Sequence, residues 1–386
     1  MKLRIAVIGA GTTGCGAARR AAELGAKEVV MFEKRTPASA SSGRSAGVVC
    51  AQTLNPLDIE LRIHARKTMD HLQKTRGLHL ARIGAIRFAS NEADAAGLEA
   101  ALRFQRSLGV CDARIVTRDE IKKMVPDIWC DDILAGLYGP NDGHVDGHMY
   151  CAAMLEDARA FGAKLRNHTE VTGYRRTKGT HLLKTNDGEW EFDAVINAAG
   201  AWAGKVGQML GHPAPVRPEV HEVIIAKLPR NLGYVVPFCQ VAKGREKNGV
   251  LYFRQDAPDT LLTGLHSPWP DTRLEVTDFD FFNPRNSDEY LQAVAVELYQ
   301  RLPLDDIGVK SGWCGLYPTS ADNRFLIGPY KNDPTILVAA GFGGVGIMSG
   351  AAGGACAAEW AVLGKISSVP SAEAFLPDRE TLAGKW

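Results

Sequence analysis

Three glycines near the N-terminus have the spacing of a phosphate-binding turn. Gly9, Gly11 and Gly14 follow an apolar run at residues 3–8 and precede an alanine-rich amphipathic run. Glycines at these positions allow a tight turn and close approach to a pyrophosphate, whose charge a helix N-terminus stabilises. Glu33 closes the next apolar run, where a carboxylate can accept hydrogen bonds from an adenosine ribose. The pattern predicts a bound dinucleotide, and these residues alone leave FAD and NAD open.

Small residues recur where other apolar runs end. A stretch rich in Ser and Gly spans 36–47, the segment 197–202 ends a short apolar strand, and 341–347 follows another. Glycine accounts for 40 of the 386 residues, about 10% where ~7% is usual. Because a backbone without side chains can press closely against a ligand, this surplus predicts contact with the dinucleotide at several places.

The elements needed to position these segments alternate as strand, turn and helix at both ends of the chain, which is typical of a Rossmann-like α/β fold. Parallel strands are predicted at 3–8, 29–32, 193–197 and 336–340, and antiparallel ones at 165–174, 181–186 and 189–192. Helices are predicted at 17–24, 57–73, 93–108, 118–124, 149–161 and 355–363, and several β-like runs between 220 and 266. We expect a discontinuous dinucleotide-binding domain (1–84, 143–217 and 313–386) and a second α+β domain on a mixed or antiparallel sheet (85–142 and 218–312).

The motifs and their order resemble those of the superfamily that contains D-amino-acid oxidase, glycine oxidase, sarcosine oxidase and dimethylglycine dehydrogenase. The resemblance spans nearly the whole chain and rests on the turn at 9–14 and on SASSGRSAG (39–47), NAAGAW (197–202), WCGLYPTSADNRFLIGP (313–329) and GFGGVG (341–346). It implies FAD as cofactor and hydride removal from a C–H bond next to nitrogen in an amino acid or a secondary or tertiary amine. The product would be an imine that water hydrolyses. Because the flavin supplies the hard chemistry, the protein has to hold an uncharged amine over it in a dry site.

The resemblance also implies which residues contact the cofactor. The loop 42–47 is expected along the pyrophosphate and flavin, Val171 at the adenine, and the late glycine turn at the isoalloxazine. The expected FAD contacts are Gly9, Gly11, Thr12, Thr13, Gly14, Glu33, Lys34, Ser42, Gly43, Arg44, Ser45, Ala46, Gly47, Val171, Ala199, Gly200, Trp202, Gly315, Gly341, Gly343, Gly344, Val345, Gly346 and Ile347.

The expected substrate pocket departs from the family pattern. The arginine that binds substrate carboxylate in glycine and D-amino-acid oxidases corresponds to Tyr317, and a carboxylate-binding lysine of monomeric sarcosine oxidase corresponds to Met348. A second lysine of that enzyme, linked to oxygen activation, corresponds to Leu262, which favours a dehydrogenase. These changes fit better with heteromeric sarcosine oxidase, dimethylglycine dehydrogenase and D-arginine dehydrogenase.

Tyr252, Arg254 and His266 complete the candidate catalytic set with Tyr317 and Met348. Arg254 is the alternative carboxylate anchor, since arginine pairs well with carboxylates. A pKa near neutrality would suit His266 to positioning the amine or handling a proton. For both Arg254 and His266, a purely structural role on a strand is about as compatible with the sequence.

Covalent attachment of the flavin is not expected. The histidine linkage of dimethylglycine dehydrogenase would fall near Arg44, which cannot form it. The cysteine linkage of monomeric sarcosine oxidase would fall at Gly315, one residue from Cys314. We therefore expect noncovalent FAD, with Cys314 as the residue that could overturn this expectation.

The composition favours a small-molecule partner. Lys and Arg number 45 against 44 Asp and Glu, a net charge of +1, so no overall field would attract nucleic acid or an anionic membrane. The eight cysteines are scattered singly, which fits neither a disulfide framework nor a zinc ribbon. The run His144-Val-Asp146-Gly-His148 lacks a further ligand, and we expect no metal.

No secretory signal or membrane-spanning run is evident, and we expect a cytoplasmic protein, as a homo-oligomer or with a partner subunit. Three alternatives to an amine oxidoreductase remain open. They are an FAD-dependent 2-hydroxy-acid dehydrogenase, a flavin-carrying β-type subunit of a multi-subunit amine dehydrogenase, and an NAD-dependent dehydrogenase.

Overall fold

A computed structural model describes residues 3–241, 250–266, 280 and 285–384. Within them the strands are β1 (Arg4–Ile8), β2 (Glu28–Phe32), β3 (Val48–Val49), β4 (Leu80–Ala81), β5 (Ala85–Ala89), β6 (Arg114–Val116), β7 (Ala135–Gly139), β8 (Gly143–Val145), β9 (Lys164–Arg166), β10 (Val171–Thr177), β11 (Thr180–Thr185), β12 (Gly188–Phe192), β13 (Ala194–Asn197), β14 (Val216–Lys227), β15 (Phe238–Gln240), β16 (Val250–Ala257), β17 (Thr260–His266), β18 (Gly308–Ser320), β19 (Leu326–Tyr330) and β20 (Asp333–Ala340).

The α-helices within the same residues are α1 (Thr12–Glu23), α2 (Pro56–Arg76), α3 (Glu92–Ser107), α4 (Arg118–Met124), α5 (Gly147–Ala160), α6 (Ala203–Met209), α7 (Asp288–Arg301) and α8 (Gly346–Leu363). Short 3-10 helices span Gly200–Trp202, Gly343–Val345, Pro370–Phe375 and Glu380–Leu382.

A six-stranded sheet in the order β19-β20-β13-β1-β2-β9 forms the centre of the first layer. β1 pairs in parallel with β2 and β13, so the turn after β1 meets the end of β13. Helices α1, α5 and α8 pack on one face, where Cys15, Tyr150 and Ala357 share a core with Val7. The antiparallel sheet β10-β11-β12 covers the other face. Burial on both faces explains why β1 and β2 are continuous apolar runs.

A mixed eight-stranded sheet, in the order β18-β14-β17-β16-β15-β5-β7-β6, forms the second layer. Its longest pairing is the antiparallel one between β14 and β18. β15 pairs in parallel with β5 and antiparallel with β16, which brings β5 next to strands that lie far from it in sequence. Apolar side chains such as Phe88, Leu251 and Val294 form the core between this sheet and helices α4 and α7.

The architecture confirms the predicted α/β fold with a second α+β part. Helix α4 has the predicted bounds. Its capping box between Thr117 and Glu120 is a sequence pattern that marks a helix N-terminus, which explains why the helix could be predicted. The predicted domain borders remain a prediction, and both β14 and β18 run across them. Parts of the predicted ranges, namely 1–2, 242–249, 267–279, 281–284 and 385–386, lie outside the described residues.

Two predicted elements need correction. Residues 164–166 belong to β9 of the parallel sheet, and the antiparallel strand begins only at Val171. Helix α8 begins at Gly346 and includes the glycine-rich segment predicted as a loop. Its glycines serve helix packing, because a Cβ at Gly354 would lie 2.0 Å from the Thr13 carbonyl oxygen of α1. Part of the glycine surplus therefore reflects contact between helices and not contact with a ligand.

Candidate active site

A continuous cavity of about 580 Å³, lined by described residues of both large sheets, extends between these sheets. At one end it is lined by Glu33, Lys34 and Trp202, and at the other by Tyr252 and Met348. The predicted residues that line it are Gly9, Gly11, Thr12, Thr13, Glu33, Lys34, Ser42, Arg44, Ser45, Ala46, Gly47, Val171, Ala199, Gly200, Trp202, Tyr252, His266, Gly315, Tyr317, Gly343, Gly344, Val345, Gly346, Ile347 and Met348. The fold thus brings together segments that are far apart in sequence.

The end next to β1 and β2 is built mainly from backbone; we call it the cradle, formed by residues 9–13, 33–34, 42–47 and 199–202. Gly9 has a φ of +106°, and a Cβ there would lie 2.6 Å from the Ala198 carbonyl oxygen. Only glycine fits this turn without strain. The Glu33 carboxylate accepts hydrogen bonds from the backbone N–H groups of Ala10 and Arg35, at 2.9 and 2.8 Å. It therefore sits at the carboxyl end of β2, as predicted.

Helices α1 and α8 meet the cavity with N-termini that receive no side-chain cap from their own N-cap residues, Gly11 and Val345. Neither has an acidic residue in its first turn. In contrast, α2, α3, α4, α5 and α7 each begin with a side chain that accepts a hydrogen bond from the first turn. Uncapped N–H groups and the positive end of the helix dipole favour an anion. Both helix ends therefore suit an anionic or electron-rich group in the cavity.

The loop 36–47 is fixed by hydrogen bonds from three sides. The Ser42 hydroxyl accepts from the Thr12 N–H at 3.0 Å. The Trp313 indole N–H donates to the Arg44 carbonyl oxygen at 2.8 Å. The Arg254 guanidinium donates through Nε and Nη2 to the Ala46 carbonyl oxygen, at 3.1 and 3.0 Å. The loop is therefore held in place along the cavity by helix α1 and by the eight-stranded sheet.

The other end, which we call the chamber, is built from side chains: Arg62, Arg87, Phe238, Gln240, Tyr252, His266, Tyr317 and Met348. The rings of Tyr252 and His266 lie 5.3 Å apart, and those of His266 and Tyr317 5.9 Å apart. His221, which also lines the cavity, stacks on Tyr317 at 3.7 Å. A Cβ at Gly344 would lie 2.5 Å from the Tyr317 ring, so this glycine lets the aromatic wall approach the late turn.

Burial keeps the His266, Tyr252 and Tyr317 side chains of the chamber neutral near pH 7. Burial, assisted by electrostatic repulsion from nearby His221, Arg87 and Arg62, lowers the pKa of His266 to about 4. The predicted near-neutral pKa is therefore wrong. Burial also raises the pKa of Tyr252 and of Tyr317 above their usual values. Both tyrosines are hydroxyl donors, and His266 is a neutral imidazole.

Sequence reasoning missed Arg62 and Arg87. Arg87 lies in β5, where one arginine interrupts the otherwise apolar sequence Ala85-Ile-Arg-Phe-Ala89. That charge in a half-buried strand was a usable signal, since a cation is seldom placed there without a partner. Arg62 lies on α2 among several other basic residues, and nothing in the sequence distinguishes it from them.

Several predicted contacts lie outside the cavity wall. Gly14 packs inside the first turn, where a Cβ would lie 1.9 Å from the Gly9 carbonyl oxygen, and Gly43 faces His148. Gly341 adopts a φ of +75° beside Ser320. Arg254 is buried and directed to the loop 36–47 and to Asp256, which argues against its predicted role as carboxylate anchor. Leu262 is likewise buried away from the cavity.

Comparison with known proteins identifies the family. Residues 4–360 match the family described as FAD dependent oxidoreductase (DAO). The chain belongs to this family. The oxidoreductase is 27% identical over 354 residues to glycine oxidase of Geobacillus kaustophilus (strain HTA426), covering 89% of each protein. It is 26% identical over 373 residues to mitochondrial sarcosine dehydrogenase of Mus musculus, covering 94% of this chain and 40% of that protein.

The solved structures agree with this assignment. L-proline dehydrogenase from P. horikoshii superposes with a TM-score of 0.86 at 25% identity, over 97% of both chains. The superfamily predicted from the motifs is therefore confirmed. The oxidoreductase spans about 40% of the length of the sarcosine and dimethylglycine dehydrogenases that it matches.

The cavity of the oxidoreductase fits FAD, the cofactor of the family. Its volume of about 580 Å³ lies within the range of cofactor sites. The cradle supplies a side-chain-free turn at Gly9 and Gly11 and a carboxylate at Glu33, and α1 supplies its uncapped N-terminus. The Lys34 ammonium lies 4.1 Å from the centre of the Trp202 ring. Two residues predicted to contact FAD at this end of the cavity therefore also contact each other.

Cys314 does not face the cavity. It precedes the lining residues Gly315–Pro318 of β18 and is not itself part of the cavity wall. Its thiol donates to the Arg285 carbonyl oxygen at 3.1 Å, and burial raises its pKa to about 12. The neighbouring Gly315 lines the cavity and has no side chain to form a linkage.

Two further expectations can be compared with the described part of the oxidoreductase. Residues 3–241, 250–266, 280 and 285–384 contain no group of three or more His, Cys, Asp or Glu side chains arranged to hold a metal ion. In the same residues, no helix combines the length and apolar character needed to cross a bilayer.

Proposed function

We propose that this oxidoreductase removes a hydride from the C–H bond next to nitrogen in an amine or amino acid, giving an imine that water hydrolyses. The observation that supports this most directly is the continuity of one cavity from the cradle to the chamber. A substrate in the chamber would lie next to the late turn at Gly343–Ile347. FAD, when bound, supplies the hydride acceptor. By their names, the relatives act on glycine, sarcosine and L-proline, which all carry such a C–H bond.

The chamber favours the uncharged form of the amine. Its histidine is neutral and its tyrosines keep their protons, so none of these side chains would be an anionic partner for an ammonium group. Arg87 places positive charge at the same end of the cavity, and like charge disfavours a protonated amine. The lone pair on nitrogen is then available to assist hydride departure. We infer that Tyr252, His266 and Tyr317 orient the amine and exclude water.

Anaerobic flavin bleaching tests this proposal. The purified yellow protein is mixed without oxygen with N-methyl amino acids, proline, D- and L-amino acids, simple amines and 2-hydroxy acids. Matched pairs such as alanine and lactate differ only in nitrogen against oxygen at the reacting carbon. We expect loss of the oxidised-flavin absorbance with at least one nitrogen compound and none with its hydroxy analogue. Bleaching by hydroxy acids alone would replace the proposal with 2-hydroxy-acid oxidation.

We further propose that the protein works in the cytoplasm. Its eight cysteines are all free thiols, and Cys111 is exposed, which suits a reducing compartment.

The sarcosine dehydrogenase relatives are much longer than this chain, which covers 40% of the mouse protein. This difference in length is the reason to test whether the chain acts as the flavin-carrying subunit of a larger enzyme. Gel filtration combined with a dye-linked assay of the isolated chain decides this. Robust turnover by the chain alone would argue against an obligatory partner.

A further inference from the structure

Arg87 is a cation at the cavity wall that forms no ion pair with a carboxylate among the described residues. Its Nη1 donates to the Gln240 side-chain oxygen at 2.8 Å. Its Nε is buried and has no hydrogen-bond partner among the described residues. A guanidinium remains protonated in proteins, so burial does not remove this charge. Arg87 is partly buried, and a cation in such a position without an ion-pair partner is costly. This cost indicates that a ligand completes the site.

The sheet fixes the direction of this side chain. Arg87 of β5, Gln240 of β15 and Tyr252 of β16 pair directly across neighbouring strands. All three line the cavity, so they form a row across the roof of the chamber. Gln240 holds Nη1, which leaves Nη2 and, once a small side-chain adjustment uncovers it, the buried Nε for a further acceptor. Two parallel N–H donors on one edge match the two oxygens of a carboxylate.

Arg62 lies at the same end but is already compensated. It pairs with Asp58 through Nη2 at 2.6 Å and donates from Nη1 to the Cys50 carbonyl oxygen at 2.9 Å. The other Asp58 oxygen accepts from the Ser349 hydroxyl at 2.8 Å. The two arginines and Asp58 together leave one positive charge, which matches a ligand with a single negative charge.

We propose that Arg87 binds the carboxylate of the substrate, and that the substrate is therefore an amino acid and not a simple amine. This inference rests on the proposed function and specifies its substrate class. It places the anchor on β5, whereas the sequence suggested Arg254. The carboxylate would neutralise Arg87, and the nitrogen end would extend toward Tyr252, His266 and Tyr317. Arg87 is then a positioning residue that contacts the substrate.

The first test compares substrates that differ only in charge. Rates of anaerobic bleaching are measured with proline and prolinamide, and with N-methylglycine and its amide, using FAD-loaded wild type, Arg87→Gln and Arg87→Lys. The matched control is Arg103→Gln, whose side chain on α3 is 70% exposed and paired with Glu99. We expect Arg87→Gln to lower kcat/KM for the amino acids about 100-fold, as expected when one partner of a buried charge pair is truncated. The amides should change little, and Arg87→Lys should restore part of the loss.

The second test measures ligand binding and thermal stability in the absence of turnover. Acetate and acetamide are titrated into each FAD-loaded protein, and binding is followed by the flavin absorption spectrum. We expect acetate to bind wild type more tightly than acetamide, and Arg87→Gln to remove this difference. Because the variant removes an uncompensated charge, its melting temperature without ligand should equal or exceed that of wild type. Arg62→Gln should melt lower, since it leaves Asp58 unpaired.

The outcomes separate this inference from the proposed function. If no amine or amino acid bleaches the flavin, the proposed function fails. If amines and amino acids bleach it but charged and amide substrates react equally well in wild type, only the assignment of Arg87 fails. An equal loss of both substrates in Arg87→Gln would also overturn it, because that result indicates a structural role.

Discussion

The two ends of the cavity are built by different means. The cradle is formed largely by backbone: Gly9 turns where a side chain would collide, and α1 presents an uncapped N-terminus. The chamber is formed by side chains projecting from the eight-stranded sheet, including Arg87, Tyr252 and Tyr317. A backbone site must retain its small residues to retain its ligand. A side-chain site can change its ligand by single substitutions on an unchanged sheet. The cradle should therefore respond to substitution with loss of cofactor, and the chamber with loss of substrate.

The largest effect is expected for Gly9→Ala in the cradle. The new Cβ would lie 2.6 Å from the Ala198 carbonyl oxygen, at a φ of +106°. The first turn would have to move away from the pyrophosphate position, so we expect the purified protein to lose most of its flavin. The ratio of absorbance at the flavin band to that at 280 nm measures this.

The control for this substitution is Gly179→Ala, in the hairpin between β10 and β11. Gly179 has a similar φ of +92°, but a Cβ there would have no neighbour within 4 Å. It therefore introduces backbone strain without a collision in the cradle. If both variants lost flavin equally, the loss would come from general instability, and the special role of the first turn would be disproved.

A smaller effect is expected for Gly344→Ala, at the junction of the two regions. Its Cβ would lie 2.5 Å from the Tyr317 ring and 2.8 Å from the His266 ring, so the aromatic wall must shift. A misplaced wall typically lowers a rate by about 100-fold. We expect flavin content to remain high while the rate of anaerobic bleaching falls by that order.

Gly308→Ala is the matched control, since Gly308 lies on the same strand as Tyr317 with no neighbour within 4 Å of its Cβ position. Normal bleaching by Gly344→Ala would show that the wall tolerates displacement. Loss of its flavin would show that the cradle and the chamber are not separable at this point.

The contrast between the two regions also explains what the sequence could predict. Gly9, Gly11 and Glu33 lie within one strand-turn-helix-strand unit, so local spacing alone predicts their common site. Arg87, Gln240 and Tyr252 meet because β5 pairs with β15, and β15 with β16. That pairing depends on the register of strands some 150 residues apart, which no local pattern specifies. Arg254 lies two residues from Tyr252 on β16, and the sequence does not show that its guanidinium is bonded to the Ala46 carbonyl oxygen.

The glycine content illustrates the same limit, namely that a local sequence pattern does not show what a residue contacts in the folded protein. The sequence cannot distinguish a glycine that admits a ligand from one that admits a helix. Gly11 borders the cavity, whereas Gly16 contacts α8, where a Cβ would lie 2.3 Å from the Ala351 carbonyl oxygen. The cofactor surface and the contact between α1 and α8 use the same residue type because both require close approach of backbone.

We expect pH to have a moderate effect on the free energy of unfolding, and part of this effect should come from His266 in the chamber. His266 has a pKa of about 4 in the folded protein, lowered by burial from 6.5. Between these values the unfolded chain binds a proton that the folded chain does not, so the free energy of unfolding falls as pH falls from about 6.5 to 4. One such proton contributes a slope of about 1.4 kcal/mol per pH unit.

Replacement of His266 by Gln removes this proton. We expect the free energy of unfolding of the variant, measured by urea denaturation of FAD-loaded protein, to depend less steeply on pH in that window. His144 and His181 also have pKa values of about 4 because of burial, so part of the slope should remain. Identical slopes for wild type and variant would show that His266 is accessible to protons in the folded protein.

The smallest effect is expected at Cys314, although the sequence places it next to the position of a covalent flavin linkage. Its thiol faces the Arg285 carbonyl oxygen on the side of β18 away from the cavity. A pKa near 12 also leaves almost no thiolate at neutral pH, and the thiolate is the reactive form of cysteine. We expect Cys314→Ser to bind as much FAD as wild type, and acid precipitation to release the flavin into the supernatant from both. Flavin that precipitates with wild type and not with the variant would mean that β18 turns its other face to the cavity. In that case the alternation along β18 would also turn Tyr317 out of the chamber, so this experiment tests the placement of Tyr317.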